Sequence, residues 1–219
     1  MLRPHHPSRS PERAEEQVDP APSLRKDNMP PFIALCGWPK VGKSTIQRLL
    51  HKRWGYVPQD DGRVLREAAK ILYGLTDWHV STQEGKASKV VIAGREVTVR
   101  YALGNLGDLL EAQWGTQFIP EATLRECLAP YGGDITAAPK MSFGSVRKDQ
   151  GITYRRHGGL VVAVRRAGVS EPENPFDRFD PAQVDVWIDN PVALGAPETP
   201  ENFALFEQAA LQILSARLG

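Results

Sequence analysis

Gly37, Gly42, Lys43 and Ser44 stand in the order and spacing that phosphate chemistry requires. Residues 37–44 read G-W-P-K-V-G-K-S, which matches G-x-x-x-x-G-K-[ST], the phosphate-binding P-loop. Gly37 and Gly42 let the chain wrap an anion with its backbone N–H groups turned inward. The helix that begins near Gly42 aims its positive end at the same charge. Lys43 reaches β- and γ-phosphates, and the Ser44 hydroxyl can ligate Mg²⁺. With Lys40, Val41 and Thr45 these residues form the expected binding loop for ATP and Mg²⁺.

Five more residues fall where a strand gives way to a loop. Asp60 and Asp61 follow the second strand-like run, Arg147 the third, and Arg165 and Arg166 the fourth. Phosphoryl transfer between two anions needs cations that neutralise the transition state, and the guanidinium fork suits phosphate oxygens. Arg63, Arg66 and Arg100 are further candidates for the acceptor side. Each arginine has a plainer reading as a solvated side chain or half of an ion pair. Asp60 and Asp61 could hold Mg²⁺ through water, bind a substrate hydroxyl, or cap the helix that follows. The five histidines have no metal-ligand or triad spacing. Cys36, at the end of the first strand, reads as a packed core residue.

These positions need a scaffold. Phe32–Cys36 is a short apolar run, as a buried parallel strand requires, and the residues after the P-loop have helical spacing. Strands are further expected at 55–58, 140–146, 160–164 and 184–188. Helices are expected at 63–73, 100–114 (Leu103, Leu106, Leu109, Leu110 and Trp114 inward), 121–128, 147–156 and 200–217 (Phe203, Phe206, Ala210, Ile213 and Leu214 inward). Residues 76–88 read as a loop. Residues 89–99 read as a hairpin with a two-residue turn. Strands alternating with helices imply an α/β fold of the P-loop NTPase type. Its mostly parallel five-stranded sheet would be flanked by helices, with a small hairpin and helical insertion and a lid loop at 167–182. Ligands then lie beyond the carboxyl ends of the strands.

Composition sets the frame. The 219 residues carry 27 basic and 26 acidic side chains, a net charge of +1, which argues against stable nucleic-acid binding. Two cysteines form no disulfide framework, so a reducing cytoplasm is the expected compartment. No apolar run approaches the ~20 residues that cross a membrane. Seven of the 18 prolines lie in the first 31 residues, beside five basic and five acidic side chains. Residues 1–29 are therefore expected to be disordered and 30–219 to form the folded domain. A start of translation at Met29 is an equal alternative to a genuine tail.

In these motifs, across residues 32–217, the chain resembles the bacteriophage-type deoxynucleoside monophosphate kinases, a branch of the P-loop nucleoside monophosphate kinases. The resemblance is carried by the P-loop and by the stretch 61–75. It continues in Arg100 with Gly107 and Asp108, in Ser145-Val146-Arg147, in 160–168, and in 184–190. It implies ATP-dependent phosphorylation of a deoxynucleoside monophosphate to the diphosphate, in a (host) cytoplasm. Two other readings stay open: a P-loop kinase of another small phosphate acceptor, and a P-loop nucleotide-binding protein with a degenerate catalytic site. Lys43 and Ser44 would serve Mg·ATP. Arg66, Arg100 and Arg147, with Asp61, Arg63 and Gly107 alongside, would hold the monophosphate, and Arg165 or Arg166 would act from the lid. Lys43, Arg147, Arg165 and Arg166 are then the catalytic candidates. Partners would be the small-molecule monophosphate and, at most, a second copy of the chain as a homodimer. Two family carboxylates are absent here: Ser145 stands two residues before Arg147, and Gly151 four residues after it.

Overall fold

A computed structural model of the chain describes residues 29–173 and 175–219. The expectations for residues 1–28 lie outside them. Five parallel strands form one sheet in the order β2-β5-β1-β6-β7. They are β1 (Phe32–Cys36), β2 (Val57–Gln59), β5 (Met141–Phe143), β6 (Leu160–Arg166) and β7 (Val186–Asn190). A separate antiparallel hairpin pairs β3 (Lys89–Ile92) with β4 (Arg95–Thr98). Its turn is Ala93-Gly94, both at positive φ, as two-residue hairpin turns require.

The central strands are buried on both faces, and their side chains alternate between two cores. Ile33 and Leu35 of β1, with Val162 and Val164 of β6, pack against α1 (Lys43–Trp54) and α8 (Pro200–Leu218). Phe32, Ala34 and Cys36 point the other way. They meet Leu124, Cys127 and Leu128 of α6 (Phe118–Leu128) and Tyr154 of α7 (Gly151–Arg156). Burial of this kind contributes about 25 cal/mol for each Å² of apolar surface removed from water. It also raises the Cys36 thiol to about 12, so Cys36 is an inert core group.

A third cluster stands off the sheet. Leu65 and Ala69 of α2 (Arg63–Tyr73) pack with Val99, Leu103 and Leu106 of α5 (Val99–Trp114). Val80 joins them from α3 (Asp77–Ser81). α3 and α4 (Gln83–Ala87) occupy the stretch 76–88 that reads as loop from sequence. Their starts explain the difference. Thr76 and His79 make a reciprocal capping box, and the Thr82 hydroxyl accepts from the Gly85 N–H.

Other boundaries shift modestly. Residues 147–150 form a loop and α7 starts at Gly151, while β6 runs on through Arg166. On α5, Leu109 is 59% and Trp114 65% exposed, so neither faces inward as expected. On α8 the buried set is Phe206, Ala210, Leu214 and Leu218, with Phe203 and Ile213 only half-buried. Among the described residues, no helix is long and apolar enough to cross a membrane.

Candidate active site

The strand order decides which carboxyl ends meet. β2, β5 and β1 are neighbours, so the loops after Gln59, Phe143 and Cys36 open onto one rim. The P-loop fills the gap between β1 and α1. Its turn depends on left-handed backbone at Gly37 (φ 129°), Lys40 (φ 66°) and Gly42 (φ 113°). A Cβ on Gly37 would lie 2.5 Å from the Val164 carbonyl oxygen, and one on Gly42 would lie 2.5 Å from the Phe206 ring. Glycine is therefore required by both conformation and space.

Lys43 folds back over this loop and donates to the carbonyls of Gly37 (2.6 Å) and Trp38 (2.9 Å). Burial, aided by nearby Arg147, lowers its pKa to about 8. An ammonium in that position is poised to exchange backbone carbonyls for phosphate oxygens. Ser44 is exposed and Thr45 buried at the first turn of α1.

Asp61 is the buried carboxylate of the site, 4% exposed, with Oδ1 lacking a hydrogen-bond partner among the described residues. Burial raises its pKa, against the pull of Arg147, the backbone amides of Asp61 and Ser145, and Lys43. Its carbonyl accepts from the Thr123 hydroxyl at 2.9 Å, which fixes the β2–α2 turn onto α6. Neither aspartate caps α2, whose N-cap is Gly62. Asp60 instead accepts from the Gly62 N–H (3.1 Å) and pairs with Arg66.

Beside this rim lies a cleft lined by Gly62, Leu65, Arg66, Lys86, Arg100 and Leu103, closed by Gly104, Arg147 and Asp177. Burial, then Arg147, lowers Arg66 to about 10. Arg100 donates to the Gln83 side chain at 2.8 Å. Arg147 faces Asp177 across 3.4 Å. Three of the expected acceptor-side arginines thus converge. Lys86 is a fourth cation there, absent from the sequence candidates because residues 76–88 carry no helical apolar stripe.

Behind the cleft, Lys148 (φ 44°) carries the loop after β5 onto α5. It pairs with Asp108 at 2.8 Å and with buried Glu111, which also accepts from Gln150 at 2.8 Å. Part of the expected lid is fastened to the same loop. The Lys148 N–H donates to the Arg178 carbonyl, and the Asp180 N–H to the Lys148 carbonyl, both at 2.6 Å.

Four sequence candidates fall elsewhere. Arg63 turns to α6 and pairs with Glu126 at 3.1 Å. Gly107 is buried within α5, and Gly104, one turn earlier, lines the cleft instead. Arg165 and Arg166 continue β6, so they point to opposite faces of the sheet. Arg165 makes two contacts to Asp189 (2.8 and 3.0 Å) and lies over the Trp187 ring. Arg166 donates to the carbonyls of Val192 (2.7 Å), Ala193 (2.6 Å) and Lys40 (3.1 Å). It thereby ties the loop after β7 to the P-loop.

No family model and no curated protein sequence matches the chain. Among solved structures it is similar to TT1252 from Thermus thermophilus, at 18% identity over 88% of this chain and 100% of that one, with a TM-score of 0.46. The shikimate kinase of Acinetobacter baumannii is similar at 15% identity over 90% and 100%, with a TM-score of 0.40. A sugar kinase from Janibacter sp. HTCC2649 is similar at 14% identity over 85% and 95%, with a TM-score of 0.33. Every one of these superpositions is loose, and none bears on what this chain does.

Proposed function

We propose that the protein transfers the γ-phosphoryl group of ATP to a deoxynucleoside monophosphate. The observation that carries this reading is the cleft lined by Arg66, Lys86, Arg100 and Arg147, set directly beside a complete P-loop. A loop that holds a triphosphate needs such a cluster only if a second anion must be brought up to the first. Leu65 and Leu103 in the same wall offer an apolar surface to the rest of the acceptor.

ATP and Mg²⁺ would be held by the P-loop, whose glycine positions leave room for an anion against the backbone. Ser44 would supply a metal ligand, and Mg²⁺ would draw charge off the phosphates. The acceptor's phosphate oxygen attacks the γ-phosphorus, the bond from that phosphorus to the bridging oxygen breaks, and ADP leaves. No proton need be removed, because the acceptor is already an oxyanion. Lys43 and Arg147 meet the charge that develops between the two phosphates. Arg66, Lys86 and Arg100 hold and orient the acceptor.

One observation favours a second reading. Asp61, buried with an unpartnered oxygen beside Lys43 and Arg147, is placed to take a proton from an acceptor hydroxyl. A phosphate acceptor has no use for such a base, whereas an anionic alcohol does. ADP release from Mg·ATP separates the two. The panel pairs the deoxynucleoside and ribonucleoside monophosphates with carboxylated and phosphorylated polyols. Turnover that requires one deoxynucleoside monophosphate supports the first reading, and turnover that requires a polyol supports the second. ATP binding with no acceptor-dependent turnover would sink both.

A further inference from the structure

Lys86 is set apart from the chain's other partly buried lysines. Lys70 pairs with Glu67 and Asp77, Lys148 with Asp108 and Glu111, and Lys43 with two backbone carbonyls. Lys86 is half-buried in α4 with no ion-pair partner among the described residues, and it lines the cleft with three arginines. α4 cannot easily turn it away. A Cβ on neighbouring Gly85 would lie 2.0 Å from the Trp78 carbonyl oxygen, so α4 is pressed against α3. From the other side, Gln83 accepts from Arg100, and the Ser88 carbonyl accepts from the Val99 N–H.

We infer that Lys86 is an acceptor-binding residue, closing with Arg66, Arg100 and Arg147 a ring of four cations around a doubly charged oxyanion. The inference rests on the cleft being the acceptor site, and it names what that site binds: a tetrahedral dianion, met by one ammonium and three guanidinium groups. Asp60 on Arg66 and Asp177 on Arg147 offset two of the four charges, so the empty cleft keeps an unfavourable excess of positive charge. A dianion supplies the missing charge.

The four-cation arrangement also makes acceptor affinity depend on pH. Burial lowers Lys86 to about 8, helped by Arg66 of α2, Arg100 of α5 and Arg147 of the loop after β5, and opposed by Asp177 of the turn Pro175–Asp177. From α3, His79 is engaged with Thr76 instead. Below about pH 8 the ring is fully charged. Above it, binding must draw a proton onto Lys86, so affinity is lost as pH rises.

Sulfate, dianionic throughout this range, is the probe. The full chain is first saturated with Mg²⁺ and a non-hydrolysable ATP analogue, which occupies the P-loop and engages Lys43. Sulfate binding is then followed by calorimetry at pH 7 and pH 9. In the unmodified protein the dissociation constant should rise about tenfold between the two, by proton linkage. Lys86→Met should bind about tenfold or more weakly at pH 7, the loss of one charged contact, with little further change at pH 9. Lys86→Arg should bind tightly at both. A purely structural role for Lys86 would leave the arginine variant with the native pH profile. Lys86→Met binding sulfate like the native protein at pH 7 would overturn the inference and leave the acceptor reading standing. Lys86-dependent sulfate binding without turnover of any monophosphate would do the reverse.

Discussion

The side-chain amide of Asn190 donates to the carbonyl of Val41 at 2.9 Å, joining the end of β7 to the turn of the P-loop. Its other atom is also engaged, with Oδ1 accepting from the Val192 N–H at 3.0 Å. One buried side chain thus holds both the loop that should cradle phosphate and the loop after β7. Asn190→Ala removes both bonds and strands a buried carbonyl, which costs about 1–3 kcal/mol. The expected result is a several-fold rise in KM for ATP and a lower Tm. Asn190→Asp should be worse than alanine, because a carboxylate cannot donate to Val41 and meets its oxygen with like charge. Initial-rate kinetics and thermal unfolding of the two variants check the order.

Gly37 of the P-loop and Gly55 at the C-terminal cap of α1 should separate strain from crowding. Gly37→Ala places a Cβ 2.5 Å from the Val164 oxygen at a φ of 129°. Gly55→Ala meets nothing within 4 Å but still sits at φ 72°. The second change should cost about 1 kcal/mol, the ordinary penalty of left-handed backbone. The first should cost more than that and abolish nucleotide binding. Urea midpoints for the two variants, with nucleotide titrations alongside, test the contrast.

Asp61 and Lys43 carry the opposite bargain, stability given up for chemistry. Burial raises Asp61 above its unfolded value, so folding binds a proton there. Stability is then favoured at acid pH and declines as pH rises from the ordinary carboxylate range, about 3.9, through the raised value. Asp61→Asn should therefore raise Tm at pH 7, with the gain fading toward pH 4, and it should remove turnover only where the acceptor is an alcohol, since a monophosphate oxyanion needs no base. Lys43 is lowered, to about 8, so its penalty applies while it is protonated and is relieved as pH rises from about 8 toward 10.5. Lys43→Ala should leave the fold intact, raise Tm at pH 7 and reduce turnover by at least about 100-fold, the scale of losing a transition-state cation. A folded Lys43→Ala protein with native turnover would remove the P-loop lysine from the mechanism.

These residues differ in how far the sequence revealed them. The P-loop was legible because its spacing is set by local backbone geometry. Arg66, Arg100 and Arg147 were legible as cations at strand ends or helix starts. Arg165 and Arg166 also sit at a strand end, but their guanidinium groups are engaged by Asp189, Val192 and Ala193, partners that lie far along the chain and that local spacing does not reveal. A helical period turns Leu109 and Trp114 inward, but α5 packs along its Leu103, Leu106 and Gly107 side. Lys86 was hidden because two five-residue helices are stabilised by caps at Thr76 and Thr82 rather than by an apolar stripe. The network behind Arg147 was also invisible, since Glu111 and Lys148 are 37 residues apart.

That network is where a charge deletion should cost more than deleting both charges. Glu111 is buried, and burial raises its pKa against the hydrogen bonds and charge of Lys148 and the Gln150 bond. Lys148→Met leaves its carboxylate facing only Gln150, and breaking a buried pair from one side costs about 3–5 kcal/mol. Glu111→Gln restores neutrality and can still accept from Gln150. The double variant should therefore recover part of the loss, with a coupling energy of about 1–3 kcal/mol. Because this pair carries the loop after β5, Lys148→Met should also raise KM for the acceptor more than KM for ATP. Urea unfolding of the two single variants and the double variant measures the coupling. Strict additivity would show that Glu111 and Lys148 do not act as a pair. An equal rise in both KM values would show that the loop does not position Arg147 for the acceptor alone.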